Sequence, residues 1–181
     1  MASFKMRKEN CELPWSTTKS YAVKVVRVSE ATPSRKLDSP QSALTYWRRV
    51  IARVSWFDAE KEHLVVLILS TRYNVQGHSL VSIGCMNESI AHPREIFRAA
   101  VAGGAYKIIV MHNHPSGDPT PSLDDYRLTR RLEKCGELLQ IPLLDFIIVG
   151  KGKRCWSSKT DVLPPRLRKI ARLESKKDVL F

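Results

Sequence analysis

Cysteine is scarce and solitary in this 181-residue chain: Cys11, Cys85, Cys135 and Cys155 stand singly, with no CxxC pair. That scatter excludes a zinc ribbon or a disulfide framework and fits free thiols in a reducing compartment. Long apolar runs are also missing. None approaches the roughly 20 residues of a membrane span, and the opening stretch MASFKMRKENCELPW has no apolar signal core. The expectation is a cytoplasmic protein without membrane contact. Acidic residues are in deficit, 18 against 30 Lys and Arg, for a formal charge of +12. Such an excess makes nucleic acid or another polyanion a candidate partner. Internal repeats and long low-complexity stretches are absent, so the length reads as one domain with tails.

What is present alternates strands and helices. Residues 1 to about 20 have no sustained period and read as a loose arm; YAVKVVRV (21–28) alternates as a strand. Ser39 and Pro40 open a helix running to about Val54, with Ala43, Leu44, Trp47, Val50, Ile51 and Val54 on one face. HLVVLILS (63–70) reads as a strand buried on both faces, paired through a hairpin with GHSLVSIG (77–84). Pro93 starts a helix with Ile96, Phe97, Ala100 and Val101 on one side, stopped by Gly103 and Gly104. AYKIIVM (105–111) is a further buried strand. A helix from about Ser122 to Leu139 carries the stripe Leu128, Leu132, Cys135 and Leu139, and IPLLDFIIVG and KRCWSS are closing strands. The last eighteen residues form a basic, weakly amphipathic segment through Leu167, Ile170 and Leu173, read as a solvated helix. This order predicts an α/β layer fold in which a mixed sheet is covered on its faces. The expected organisation is an arm over 1–38, a domain over 39–160 and a basic tail over 161–181.

The densest chemistry lies in MHNHPSGDPTPSLDDYRLTRRL, residues 111–132. Alternation along extended backbone points His112 and His114 the same way as the strand ends, with Asn113 facing away. The proline-rich loop after them suits neither strand nor helix, so it reverses the chain and brings the next helix back to the strand end. Asp125, on that helix's first turn, can complete a set of three ligands for a divalent metal, leaving a position for water. Two histidines and a carboxylate are typical of hydrolytic zinc, though the same set suits non-haem iron. Ser122 and Asp125 also make a capping box in their own right.

The segment HNHPSGDPTPSLDD resembles the signature of the RadC-like branch of the JAB/MPN/JAMM metalloprotease superfamily. LVSIGCMNESIAHPREIFRAAV and LLDFIIVG are similar to that branch's flanking segments, and the likeness runs from about Ala43 to Ser158. The resemblance implies a mixed sheet between helices in a three-layer, cytidine-deaminase-like architecture. It also implies one zinc ion per chain held by His112, His114 and Asp125, with Ser122 stabilising an oxyanion, and hydrolysis of a peptide or isopeptide bond in a protein or peptide substrate.

An upstream glutamate serves as general base in that superfamily, and Glu60, Glu62, Glu88 and Glu95 are the candidates. Glu62 is preferred because the family's base lies at the opening of a buried strand; period two gives Glu60 the same facing, and Glu95 suits a helix's first turn in any case. His63, His78 and His92 read as structural or surface residues. Two departures stand out: Phe146 occupies a place where RadC-like proteins commonly have histidine, and no helix-hairpin-helix segment is evident. The competing readings are a DNA-repair-associated accessory module with a structural metal, using cations such as Arg127, Arg130, Arg131 and Lys134, and a metal-dependent nuclease. A zinc nucleobase deaminase is disfavoured, since HxE followed by PCxxC is missing.

Overall fold

The computed structural model describes residues 26–27, 36–84 and 92–177. Its elements are β1 (Val26–Arg27), α1 (Pro40–Arg49), a 3₁₀ turn (Ile51–Arg53), β2 (His63–Leu69), β3 (Val75–Ile83), α2 (Pro93–Ala102), β4 (Lys107–Asn113), α3 (Leu123–Leu139), β5 (Leu143–Val149), β6 (Cys155–Ser157) and α4 (Pro165–Lys177). The six strands form one mixed sheet in the order β1-β3-β2-β4-β5-β6. Every neighbouring pair is antiparallel except β4 and β5. Most of the expected arm over 1–38 and of the expected strand over 21–28 lies outside the described residues, as do Cys11, Cys85 and Glu88, but Leu37 is buried and Lys36 bridges Asn74. Among the described residues no helix is long and apolar enough to cross a membrane.

Strand alternation sorts the core into two layers. Leu64, Val66, Ile108, Val110, Phe146 and Ile148 meet Ile96, Phe97 and Ala100 of α2 and Leu128 and Leu132 of α3 on one face. Val65, Leu67, Ile109, Met111, Ile147 and Val149 meet Leu44, Trp47 and Ile51 on the other. All seven residues of β2 are buried, as a strand covered on both sides requires. The result is the expected α/β sandwich of three layers, and it positions the site. Because β4 and β5 are parallel, α3 must run back antiparallel to both, so its N-terminus arrives at the C-terminal end of β4.

Several expected details are corrected. The first helix is capped by Ser39, whose side chain accepts from the Ser42 N–H at 3.2 Å, but it ends at Arg49. The chain then tightens into the 3₁₀ turn, which keeps Ile51 buried and leaves Val54 half-buried. Val101 is 60% exposed, and Ala99 is buried in its place. Leu139 keeps the stripe's spacing but is 45% exposed, at the C-terminal residue of α3. β4 extends through Asn113, two residues beyond the expected end, which makes His112 part of the ladder.

The basic tail is a helix that docks rather than a solvated one. Leu167 of α4 is buried, Ile170 is half-buried, and the Glu174 carboxylate meets the Arg127 guanidinium at 3.2 Å. Leu173, on the outer side, is exposed.

Candidate metal centre

Period two puts His112 on the sheet face that α3 covers, together with Ile108 and Val110. The ring is fully buried beside Phe146, with ring centroids 5.4 Å apart. His114 follows the end of β4, tied there by its backbone N–H to the Val149 carbonyl at 3.1 Å. The two imidazoles lie edge to face with centroids 4.8 Å apart.

Asp125 reaches them from the first turn of α3. Its Oδ1 is 3.1 Å from His112 Nε2, and its Oδ2 is 3.6 Å from His114 Nε2. The capping box aims this carboxylate: Asp125 Oδ2 accepts the Ser122 N–H and the Ser122 hydroxyl, both at 2.7 Å, while the Asp125 N–H donates to Ser122 Oγ at 3.1 Å. Capping and metal binding are therefore not rival explanations of Ser122 and Asp125, since the cap positions the ligand. Burial alone would push the Asp125 carboxyl up, but the two imidazoles and the Ser122 hydroxyl outweigh it and hold the group well below the usual carboxylate range.

His112, His114 and Asp125 each offer a ligand atom, and these atoms lie within 4.8 Å of one another. Their hydrogen bonding fits a cation. His114 Nδ1 lies 2.7 Å from the Asp118 carbonyl oxygen; a carbonyl only accepts, so Nδ1 carries the proton and Nε2 keeps a free lone pair. His112 is buried with neither ring nitrogen hydrogen-bonded, its Nε2 close to Asp125 but off the line of an N–H bond. An unsatisfied buried polar atom costs about 1–3 kcal/mol, and coordination through Nε2 removes that cost at one of the two nitrogens.

The family model for the RadC-like JAB domain matches residues 37–163, most of the chain and all three ligand candidates. The chain belongs to the RadC-like JAB domain family. It is 45% identical to a UPF0758 protein of Chlorobaculum parvum over 128 residues, 71% of this chain and 54% of that one. It is 50% identical to a UPF0758 protein of Chlorobaculum tepidum over 104 residues, covering 58% and 46% of the two chains. With one from Methanosarcina mazei it shares 40% identity over 121 residues, covering 67% and 51%. This chain thus spans about half the length of the curated relatives it matches.

Within this RadC-like domain the glutamate candidates separate. Leu64 pairs with His112 in the β2–β4 ladder, and continuing that register two residues outward sets Glu62 opposite His114. Glu62 is half-buried; burial lowers the His114 imidazole's affinity for a proton, but Asp125, the Asp118 carbonyl and, least of these, the Glu62 charge outweigh it and raise that affinity. Glu60 does not share that facing, because residues 59–60 turn instead of extending, with the Glu60 N–H on Asp58 Oδ1 at 3.0 Å. Glu95, in the first turn of α2, is held by Arg98 at 2.6 Å.

Asn113 is the residue that the sequence reading passed over. It faces away from the histidines as expected, but its amide has work there: Oδ1 accepts the His63 N–H at 3.0 Å and Nδ2 donates to the Lys61 carbonyl at 2.8 Å. It therefore holds the backbone on both sides of Glu62. Only its place between two ligand histidines hinted at a role. The remaining described histidines lie outside the ligand group, although His78 Nε2 is also buried without a hydrogen-bond partner. His63 donates through Nδ1 to the Lys61 carbonyl at 2.9 Å, His78 Nδ1 meets the Tyr46 hydroxyl at 2.9 Å, and His92 precedes α2 without a side-chain cap.

Proposed function

We propose that this RadC-like JAB domain is a zinc-dependent metallohydrolase of the JAMM type that cleaves a peptide or isopeptide bond. The observation that carries the reading is His112, buried beside Asp125 with neither ring nitrogen hydrogen-bonded. A bound zinc ion supplies a water acidic enough to lose a proton near neutrality and a Lewis acid for the scissile carbonyl. His112, His114 and Asp125 would hold that ion. The Glu62 carboxylate takes up a proton at the start of the reaction and returns it to the leaving nitrogen. Asn113 keeps that carboxylate in place through the Lys61 and His63 backbone, and Phe146 excludes water behind His112. Ser122 has two tasks that compete for one proton. Its hydroxyl donates to Asp125 Oδ2 here, so donation to a developing oxyanion requires that hydroxyl to turn outward.

The test is a panel of linear peptides and isopeptide-linked conjugates incubated with zinc-loaded protein. At least one is expected to be cleaved, with activity abolished by a chelator and restored by added zinc. Turnover that survives complete metal removal would refute the assignment.

A second reading, nucleic-acid contact, is favoured by α4, where Arg166, Arg168 and Lys169 are exposed and form no ion pair among the described residues. The α3 cations support it less, since Arg127 is held by Glu174 and Arg130 by Glu133. Duplex DNA is expected to bind with an affinity that falls as salt rises and as Arg168 and Lys169 are neutralised. Binding indifferent to both changes removes this reading.

A further inference from the structure

The turn between β5 and β6, residues 150–154, reads GKGKR and is clamped to the histidine loop. Two closely placed backbones make the clamp. A Cβ on Gly150 would lie 2.8 Å from the Gly117 carbonyl oxygen and 2.8 Å from Pro119 Cδ, and a Cβ on Gly117 would lie 2.8 Å from Lys151 Cβ. Gly117 also has φ near +77°, a conformation that favours glycine. The Gly117 carbonyl accepts the Lys151 N–H at 2.9 Å and Arg154 Nη2 at 2.8 Å, while the Gly117 N–H donates to the His114 carbonyl at 2.9 Å. Two backbone hydrogen bonds therefore connect a ligand candidate to Lys151.

This turn gives the rim of the site one sign of charge. Lys151, Lys153 and Arg154 are exposed, and neither lysine forms an ion pair among the described residues. The neighbouring acid, Asp118, keeps its charge while its Oδ1 accepts from the Thr120 N–H at 3.1 Å and hydroxyl at 2.8 Å, and the cation that acts on it is Arg154, which leaves the two lysines. On the Glu62 side, Lys61 is paired with Asp58 at 3.2 Å, whereas Lys151 and Lys153 of the turn are unpaired among the described residues. Among the described residues Phe146, Tyr126 and Trp156 are buried, and the half-buried Trp56 and Phe57 stack on His63 at the Glu62 side, so no fully exposed aromatic ring is placed beside the lysines. The exposed Tyr106 precedes β4, at the opposite end of that strand from His112. Unpaired lysines beside the histidine loop, without an exposed ring next to them, suit carboxylates on a peptide better than a single-stranded nucleic acid.

We propose that the 150–154 turn is a subsite for acidic peptide, in which Lys151 and Lys153 receive Asp or Glu side chains that flank the bond presented to the metal centre. Placement of these side chains beside a scissile bond rests on the hydrolase reading; the affinity for acidic peptide does not.

The test measures binding of a labelled peptide of alternating Glu and Ala, its Gln counterpart and a labelled DNA duplex to zinc-loaded protein at low salt. The Glu peptide is expected to bind about tenfold more tightly than the Gln peptide, and a Lys151→Ser, Lys153→Ser double variant to erase the difference with its zinc content unchanged. Neutralising Arg168 and Lys169 of α4 should leave the preference intact. Equal affinity for both peptides overturns the proposal, as does a preference that disappears with the α4 cations instead. A duplex that outcompetes the Glu peptide and is weakened by the turn substitutions reassigns the turn to nucleic acid. Absence of cleavage in any assay would count against the hydrolase reading while leaving this affinity difference measurable.

Discussion

Purified protein is expected to carry close to one zinc ion per chain, and Asp125→Ala or His114→Ala to carry essentially none. Elemental analysis of each protein after desalting reads the result directly. Asp125 is the only anion of the three ligand candidates, so its loss removes both a bond and the charge that offsets the cation. Partners one step removed from a metal commonly cost 10–100-fold in affinity, and loss of a ligand itself should exceed about 100-fold. The two variants differ in a second measurement. Asp125→Ala also removes the acceptor for the Ser122 N–H and hydroxyl, so the α3 cap is damaged. Loss of an N-cap interaction costs about 0.5–2 kcal/mol. His114→Ala leaves the cap intact. In metal-free form, Asp125→Ala should therefore unfold at a lower temperature than His114→Ala. A wild type free of metal after zinc supplementation would end the enzyme assignment.

Glu62→Gln is expected to lower turnover of any substrate the wild type cleaves by about 10²–10⁴-fold while zinc content stays unchanged. Glutamine preserves the shape and the link to the strand end but cannot accept a proton at the carboxylate oxygen. Glu60→Gln and Glu95→Gln serve as controls and should change turnover little. Glu60 lies in an exposed turn, and Glu95 is engaged by Arg98 on the surface of α2, where an ion pair is worth at most about 1 kcal/mol. Equal turnover in wild type and Glu62→Gln would move the base role to another residue.

The strand and helix that carry the ligand candidates were legible because their signals are local. A continuous apolar run marked β2, Ser39 followed by Pro40 marked the start of α1, and HNHP followed by Ser122 and Asp125 marked the ligand candidates. The misplacements also have local causes. Val101 and Leu139 keep helical spacing but are exposed, and periodicity carries no information about where a neighbouring layer stops. Leu167, Ile170 and Glu174 lie on the docked side of α4, yet a stripe that short also fits a solvated helix until a partner surface is known.

By itself the sequence determined which residues can bind a cation, that His112 and His114 point the same way, and the alternation of strands and helices, since each depends on side-chain chemistry and on periods of two and 3.6. The tertiary structure decided which glutamate faces the histidines, what Asn113 holds, and which surface turn borders the site. Those properties depend on β2 lying antiparallel to β4 in one register and on β5 lying parallel beside it. Pairing of that kind joins residues some fifty positions apart, such as His63 and Asn113, and no short-range pattern in the chain records it.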